Sequence, residues 1–70
     1  MPQITSRELV AFFLKQRFYA SSQTGSHLTL RHSDGRRVTV PVHAGDLGRG
    51  LVIGILKQGG YSADDFLRPA

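Results

Sequence analysis

His27-Leu28-Thr29-Leu30-Arg31-His32-Ser33-Asp34-Gly35-Arg36-Arg37-Val38-Thr39-Val40-Pro41-Val42-His43 reads as two strands about a turn. Leu28 and Leu30 alternate with His27, Thr29 and Arg31. Beyond the turn, Val38, Val40 and Val42 alternate with Arg37, Thr39, Pro41 and His43, the period of two that a half-buried strand requires. Asp34-Gly35 supplies the hairpin turn. One face, Leu28, Leu30, Val38, Val40 and Val42, is directed to a core. The other displays His27, Thr29, Arg31, Arg37, Thr39 and His43 to water or a partner. Pro41 has no N–H for a ladder, which places the strand ending at His43 on an edge.

Toward the N-terminus, Phe18 to Gln23 reads as a shorter strand, joined to the hairpin by the tight Thr24-Gly25-Ser26 connection. Before it, Thr5-Ser6-Arg7-Glu8 is a capping box, with Thr5 as N-cap, Glu8 at N3, and Ile4 and Leu9 at the staple positions. A helix is predicted from Ser6 to Arg17 or Phe18, with Leu9, Val10, Phe13 and Leu14 as its core stripe.

Toward the C-terminus, Ala44 to Gly50 is a loop in which Asp46 is a candidate N-cap, and Leu51, Val52, Ile55 and Leu56 mark a second helix. Gly59-Gly60 ends it through the left-handed cap that glycine permits. Gly50 and Gly54 each cost roughly 1 kcal/mol relative to alanine in a helix, so close backbone packing is expected to offset them. Ser62 caps a final short turn carrying Asp64, Asp65 and Phe66. The expected fold class is α+β: α-β-β-β-α, with a three-stranded antiparallel sheet and two helices on one face.

Length and composition bound the function. The 70 residues, 40% hydrophobic and 20% charged, suffice for one domain spanning 1–70 and exclude a two-domain enzyme. There is no cysteine, which excludes disulfides, thiolate catalysis and cysteine-based zinc sites. The two longest apolar runs, Leu9 to Leu14 and Leu51 to Leu56, are far short of a membrane span, so a soluble, cytoplasmic protein with no membrane partner is expected.

Nine Lys and Arg against five Asp and Glu give a net charge of +4, which favours an anionic partner. The excess is concentrated in residues 27–57, where Arg31, Arg36, Arg37, Arg49 and Lys57 are placed to neutralise phosphates. A solvated face that contacts nothing accounts for the same charges. Of the histidines, His27, His32 and His43, no pair has HxH or HExxH spacing, so neither a metal nor another cofactor is expected. His32 precedes the turn on the Leu28 side and reads as a solvated or packed residue.

His27 enters its strand directly after Gly25 and Ser26, points away from the core and shares its face with Thr29 and Arg31. An imidazole so placed can exchange protons. RNA needs no metal for cleavage, because its own 2′-hydroxyl attacks the adjacent phosphate; a positioned proton donor or acceptor contributes about 10² to 10⁴-fold, and arginines stabilise the charge that develops. An ordinary exposed strand histidine is the alternative.

The string Thr24-Gly25-Ser26-His27, then Gly35-Arg36-Arg37-Val38-Thr39-Val40-Pro41-Val42-His43, then Gly50 and Ile55-Leu56-Lys57-Gln58-Gly59-Gly60, resembles the HicA toxin (YcfA-like) family from about Ser6 to Phe66. The resemblance implies a fold similar to the double-stranded RNA-binding domain. It further implies an endoribonuclease, an mRNA interferase of a type II toxin–antitoxin pair that cleaves messenger RNA, stops translation and is restrained by a cognate HicB-like antitoxin. The catalytic histidine of the family falls on His27, with Gly25 and Ser26 as the turn before it. His43 falls on the second motif histidine, with a structural or substrate-contacting role. Around His27, the expected RNA-binding residues are Ser26, Thr29, Arg31, Arg36, Arg37, His43, Arg49 and Lys57. The chain departs from the family at Arg17, where glycine is usual, and in the loop before the second helix, which is often lysine-rich.

Three readings follow: a metal-independent endoribonuclease using His27, a non-catalytic double-stranded RNA-binding module, and an interaction protein whose polar face or Pro41 edge serves a protein partner.

Overall fold

The computed structural model describes residues 4–42 and 45–68, so His43 and Ala44 lie outside the described residues. In chain order the elements are β1 (Ile4–Thr5), α1 (Ser6–Lys15), β2 (Tyr19–Thr24), β3 (His27–Arg31), β4 (Arg37–Pro41), β5 (Asp46–Leu47), α2 (Arg49–Gln58) and α3 (Ala63–Leu67). The expected helix, three antiparallel strands and helix are present, joined by a two-residue pairing of β1 with β5 and by the short α3.

Thr5 starts α1 by accepting the Glu8 N–H on its Oγ1 at 3.2 Å, which satisfies one of the donors a helix start leaves over. Thr5 also pairs with Asp46, and Ile4 with Leu47. That pairing corrects the reading of Asp46 as a helix cap: it sits in a strand, and α2 starts from Gly48 with no side-chain cap.

The end of α1 comes at Lys15, two residues before the expected limit. The Phe18 N–H donates to Phe13 O at 3.0 Å and the Arg17 N–H to Leu14 O at 3.1 Å, the two reversed bonds of a Schellman closure. Arg17 takes φ +71 to make them, the one non-glycine residue with positive φ among the described residues. The core side of α1 is also rotated from expectation. Leu9 and Phe13 are fully buried, but Leu14 is 50% exposed. Phe12 turns instead toward α3, its ring 5.2 Å from Tyr61 and 5.3 Å from Phe66.

The sheet has the order β2-β3-β4, with Leu30 opposite Val38 and Leu28 opposite Val40. Leu30, Val38 and Val40 are fully buried, each such side chain contributing about 1.5–3 kcal/mol. Both long helices lie against β4 on this face. The apolar face is shorter than predicted: Val42 lies beyond the strand and is exposed, and Leu28 is half-buried, both bordering an open groove beside Val10 and Leu14 of α1.

In α2, Val52, Ile55 and Leu56 enter the core while Leu51 is 46% exposed, so the apolar stripe is narrower than the sequence suggests. The expected close packing at Gly50 and Gly54 is absent, since a methyl group at either would meet nothing within 4 Å. The crowded glycine is Gly59, where an added Cβ would lie 2.6 Å from Phe13 Cε1. Gly60 follows at φ +90, with the Tyr61 N–H donating to Leu56 O at 2.8 Å and the Gly60 N–H to Lys57 O at 3.0 Å. This is the glycine-terminated cap that the sequence predicts. Ser62 and Asp65 form a reciprocal capping box for α3, and the Ser62 backbone and hydroxyl hold the Asp65 carboxyl below the usual carboxylate range.

Candidate functional site

Gly25 and Ser26 form the two-residue loop between β2 and β3, since Thr24 and His27 are paired on either side of them. Gly25 has φ +58, as the first residue of the tightest hairpin loops does. The Gln23 side chain donates to Gly25 O at 3.3 Å, and the Val42 N–H donates to Ser26 O. The loop is therefore tied to both neighbouring strands, and it delivers His27 as the first residue of the central strand.

Residues directly opposite in an antiparallel pair share a face. His27 stands opposite Thr24 and Pro41, Thr29 opposite Ser22 and Thr39, and Arg31 opposite Tyr19 and Arg37. These three rows are the outer face, on the side of the sheet away from the helices. His27, Arg31, Arg37 and Thr39 are exposed and Thr29 is half-buried. No side-chain hydrogen bond or ion pair engages His27 among the described residues, so the imidazole is free for an incoming group. Along β3, Arg31 is four residues from His27, about 13 Å at the usual strand rise. The two groups share a surface without touching the same atom.

Arg36 differs from the expectation that it faces RNA. Its Nε donates to Asp34 Oδ2 at 2.8 Å and its Nη1 to Gly59 O at 2.7 Å. Its guanidinium also lies over the rings of Phe18 and Tyr61, 5.2 and 5.4 Å from their centroids. The Tyr61 hydroxyl, and after it Asp34, push the Arg36 pKa above its ordinary value. In return the Arg36 backbone N–H, ahead of its side chain and His32, holds the Asp34 carboxyl below the usual range. Arg36 thus clamps the hairpin turn to the end of α2, a role resting on a partner 23 residues away that no local pattern displays.

His32 belongs to the same clamp. Its Nδ1 accepts the Asp34 N–H at 3.1 Å, and its ring meets Phe18 edge-on at 5.1 Å, the packed alternative of the sequence reading. Arg49 and Lys57 are exposed at opposite ends of α2, in the helical layer, and are not brought to the His27 face. Ser26 is exposed beside His27. His43 lies outside the described residues. Ser22, Thr24 and Tyr19 are outer-face residues that the sequence reading did not single out; for Tyr19, 52% exposed, the signal available was its alternation with Phe18.

Among the described residues no three His, Asp or Glu side chains gather as a metal's ligand set, and no helix is long and apolar enough to cross a membrane. Behind the sheet, a groove of about 380 Å³ runs between α1 and the open end of β3, lined by Val10, Leu14, Leu28 and Val42.

A protein-family model described as HicA toxin of bacterial toxin-antitoxin matches residues 6–61. A search among curated proteins gives no match.

Proposed function

Since this chain belongs to the HicA toxin family of bacterial toxin–antitoxin systems, whose members are ribonucleases, we propose that it cuts messenger RNA in the cytoplasm with His27 as its proton-exchanging group. The observation that carries this is the unpartnered, exposed imidazole of His27, fixed by a tight loop at the head of the central strand on a polar face.

The chemistry needs little more from the protein. Neutral imidazole accepts the proton of a ribose 2′-hydroxyl as that oxygen bonds to the adjacent phosphorus; the bond to the 5′-oxygen breaks, that oxygen takes a proton from water, and the imidazolium gives its own to the hydroxide left behind. The products are a 2′,3′-cyclic phosphate and a 5′-hydroxyl, with no metal required. Such proton transfer contributes about 10² to 10⁴-fold. At about 13 Å from His27, Arg31 and Arg37 hold phosphates further along the strand, whereas the hydroxyls of Ser26 and Thr24 stand next to the imidazole and are the nearest donors to the phosphate being cut.

An enzyme of this kind harms its own cell when free, and the family implies an antitoxin partner. We place that HicB-like antitoxin over His27. The duplex-binding alternative uses the same face without cleaving. Purified protein incubated with RNA and a chelator separates the two: His27→Ala is expected to abolish cleavage while its circular dichroism stays that of the parent. RNA shortened at the parental rate by the variant would end the catalytic assignment, and RNA retarded but never shortened by the parent would favour the non-catalytic module.

A further inference from the structure

At the end of the outer face opposite His27, three residues share one cross-strand row. Tyr19 is paired with Arg31, and Arg31 with Arg37. Phe18 is buried and Tyr19, the next residue, is 52% exposed. Its ring therefore stands on the outer face at the sheet margin, where it contributes little to the core. Arg31 and Arg37 are like charges directly opposite each other, an arrangement that destabilises a sheet. Neither has an ion-pair partner among the described residues, and no Asp or Glu occupies the outer-face rows. An anion between the two guanidinium groups would relieve their repulsion, and a flat ring beside them gives a base a surface to stack on. Between this cluster and His27 the face carries only the hydroxyls of Ser22, Thr29 and Thr39, low enough to let a chain lie across.

We propose that Tyr19, Arg31 and Arg37 form a base-stacking subsite that grips single-stranded RNA a few nucleotides from the bond presented to His27. The ligand class rests on the RNA-cleaving reading above; the subsite adds where the strand is held and in what form. In a duplex the bases are stacked on one another, and a protein meets chiefly phosphates and 2′-hydroxyls, whereas splayed single-strand bases lie on aromatic rings and arginine planes. The combination of an exposed tyrosine and two unpaired arginines on a flat face matches the second situation.

The test separates binding from cleavage by using an uncleavable 2′-O-methyl RNA oligonucleotide, single-stranded or annealed to its complement, with the full chain. The single strand is expected to bind more tightly. Tyr19→Ala should weaken single-strand binding by about five- to a hundredfold, with Tyr19→Phe staying within about twofold of the parent and duplex binding unmoved. Arg37→Gln, a second exposed substitution, should flatten the salt dependence of single-strand binding by about 0.7 in log–log slope. Equal binding by Tyr19→Ala and the parent, or a preference for the duplex, would overturn the subsite while leaving the nuclease untouched. Binding that depends on Tyr19 in a protein unable to cut RNA would uphold the subsite and remove the nuclease.

Discussion

The rings of Phe13 and Phe18 meet edge to face at 5.0 Å, closing the end of α1 over Arg17, which is held at φ +71. In a Schellman closure the residue in the left-handed position and the one after it donate the two reversed hydrogen bonds, and an apolar contact of this type packs beside them. An L side chain in that conformation costs about 1–2 kcal/mol. Glycine, the family's usual residue there by the resemblance drawn above, carries no such strain. Arg17→Gly is expected to raise stability by about 1 kcal/mol, or several degrees in Tm for a domain of this size. Thermal unfolding checks it, and a lower Tm would mean that the Arg17 side chain does something the backbone strain conceals.

One substitution should have opposite signs at two glycines of one helical region. Gly59→Ala brings a Cβ to 2.6 Å from Phe13 Cε1 and 3.1 Å from Val38 Cγ1, both in a packed core, and should destabilise by about 1–3 kcal/mol. Gly54→Ala meets nothing within 4 Å and should stabilise by about 1 kcal/mol through helix propensity. Urea midpoints of the two variants against the parent decide it.

The arginines divide by role. Arg31→Gln should reduce the salt dependence of single-stranded RNA binding by about 0.7 in slope and hold or slightly raise the urea midpoint, since it removes the like charge opposite Arg37. Arg36→Gln should do the reverse, because it removes the bonds to Asp34 and Gly59 without taking a charge from the outer face. A pair of salt titrations and a pair of unfolding curves separate the two behaviours.

Acid should loosen the hairpin clamp. The Asp34 and Asp65 carboxyls are both held below their ordinary values, the first chiefly by the Arg36 backbone N–H and the second chiefly by the Ser62 backbone N–H. A depressed folded-state pKa gives stability that is present above the unfolded value, near 4, and is lost as pH falls through the folded value. Stability should therefore decline below about pH 4, and Asp34→Asn should start lower at neutral pH and decline less. Unfolding measured between acid and neutral pH would refute this if the variant's curve ran parallel to the parent's.

The outline was legible where the signal was local. Strict alternation through Leu28 to Val40 set the hairpin, glycine after Lys57-Gln58 set the end of α2, and Ser62 with Asp65 set the start of α3. His27 was legible for the same reason, since strand parity alone decides its face. Elements held by distant partners were not legible. Nothing near Asp46 announces that Thr5 will pair with it, and an acidic residue just before an apolar stripe resembles a cap. Arg36 looks like its neighbour Arg37 in sequence, yet strand register sends one to the outer face and the turn sends the other against Gly59. Tyr19 was hidden by the bulge between Ala20 and Ser22, which breaks the parity by which a reader would relate it to His27.

That same irregularity lies on a free margin of the sheet, where another copy could pair. A free strand margin is a template onto which another chain can zip, and here each margin is spoiled: an extra residue kinks β2 in its middle, and β4 stops at Pro41, which lacks a donor. A bulge and a terminal proline are two of the devices by which edge strands resist pairing edge to edge with another chain. Smoothing β2 by deleting Ser21 would restore an uninterrupted rim and with it a propensity for fibrous self-association.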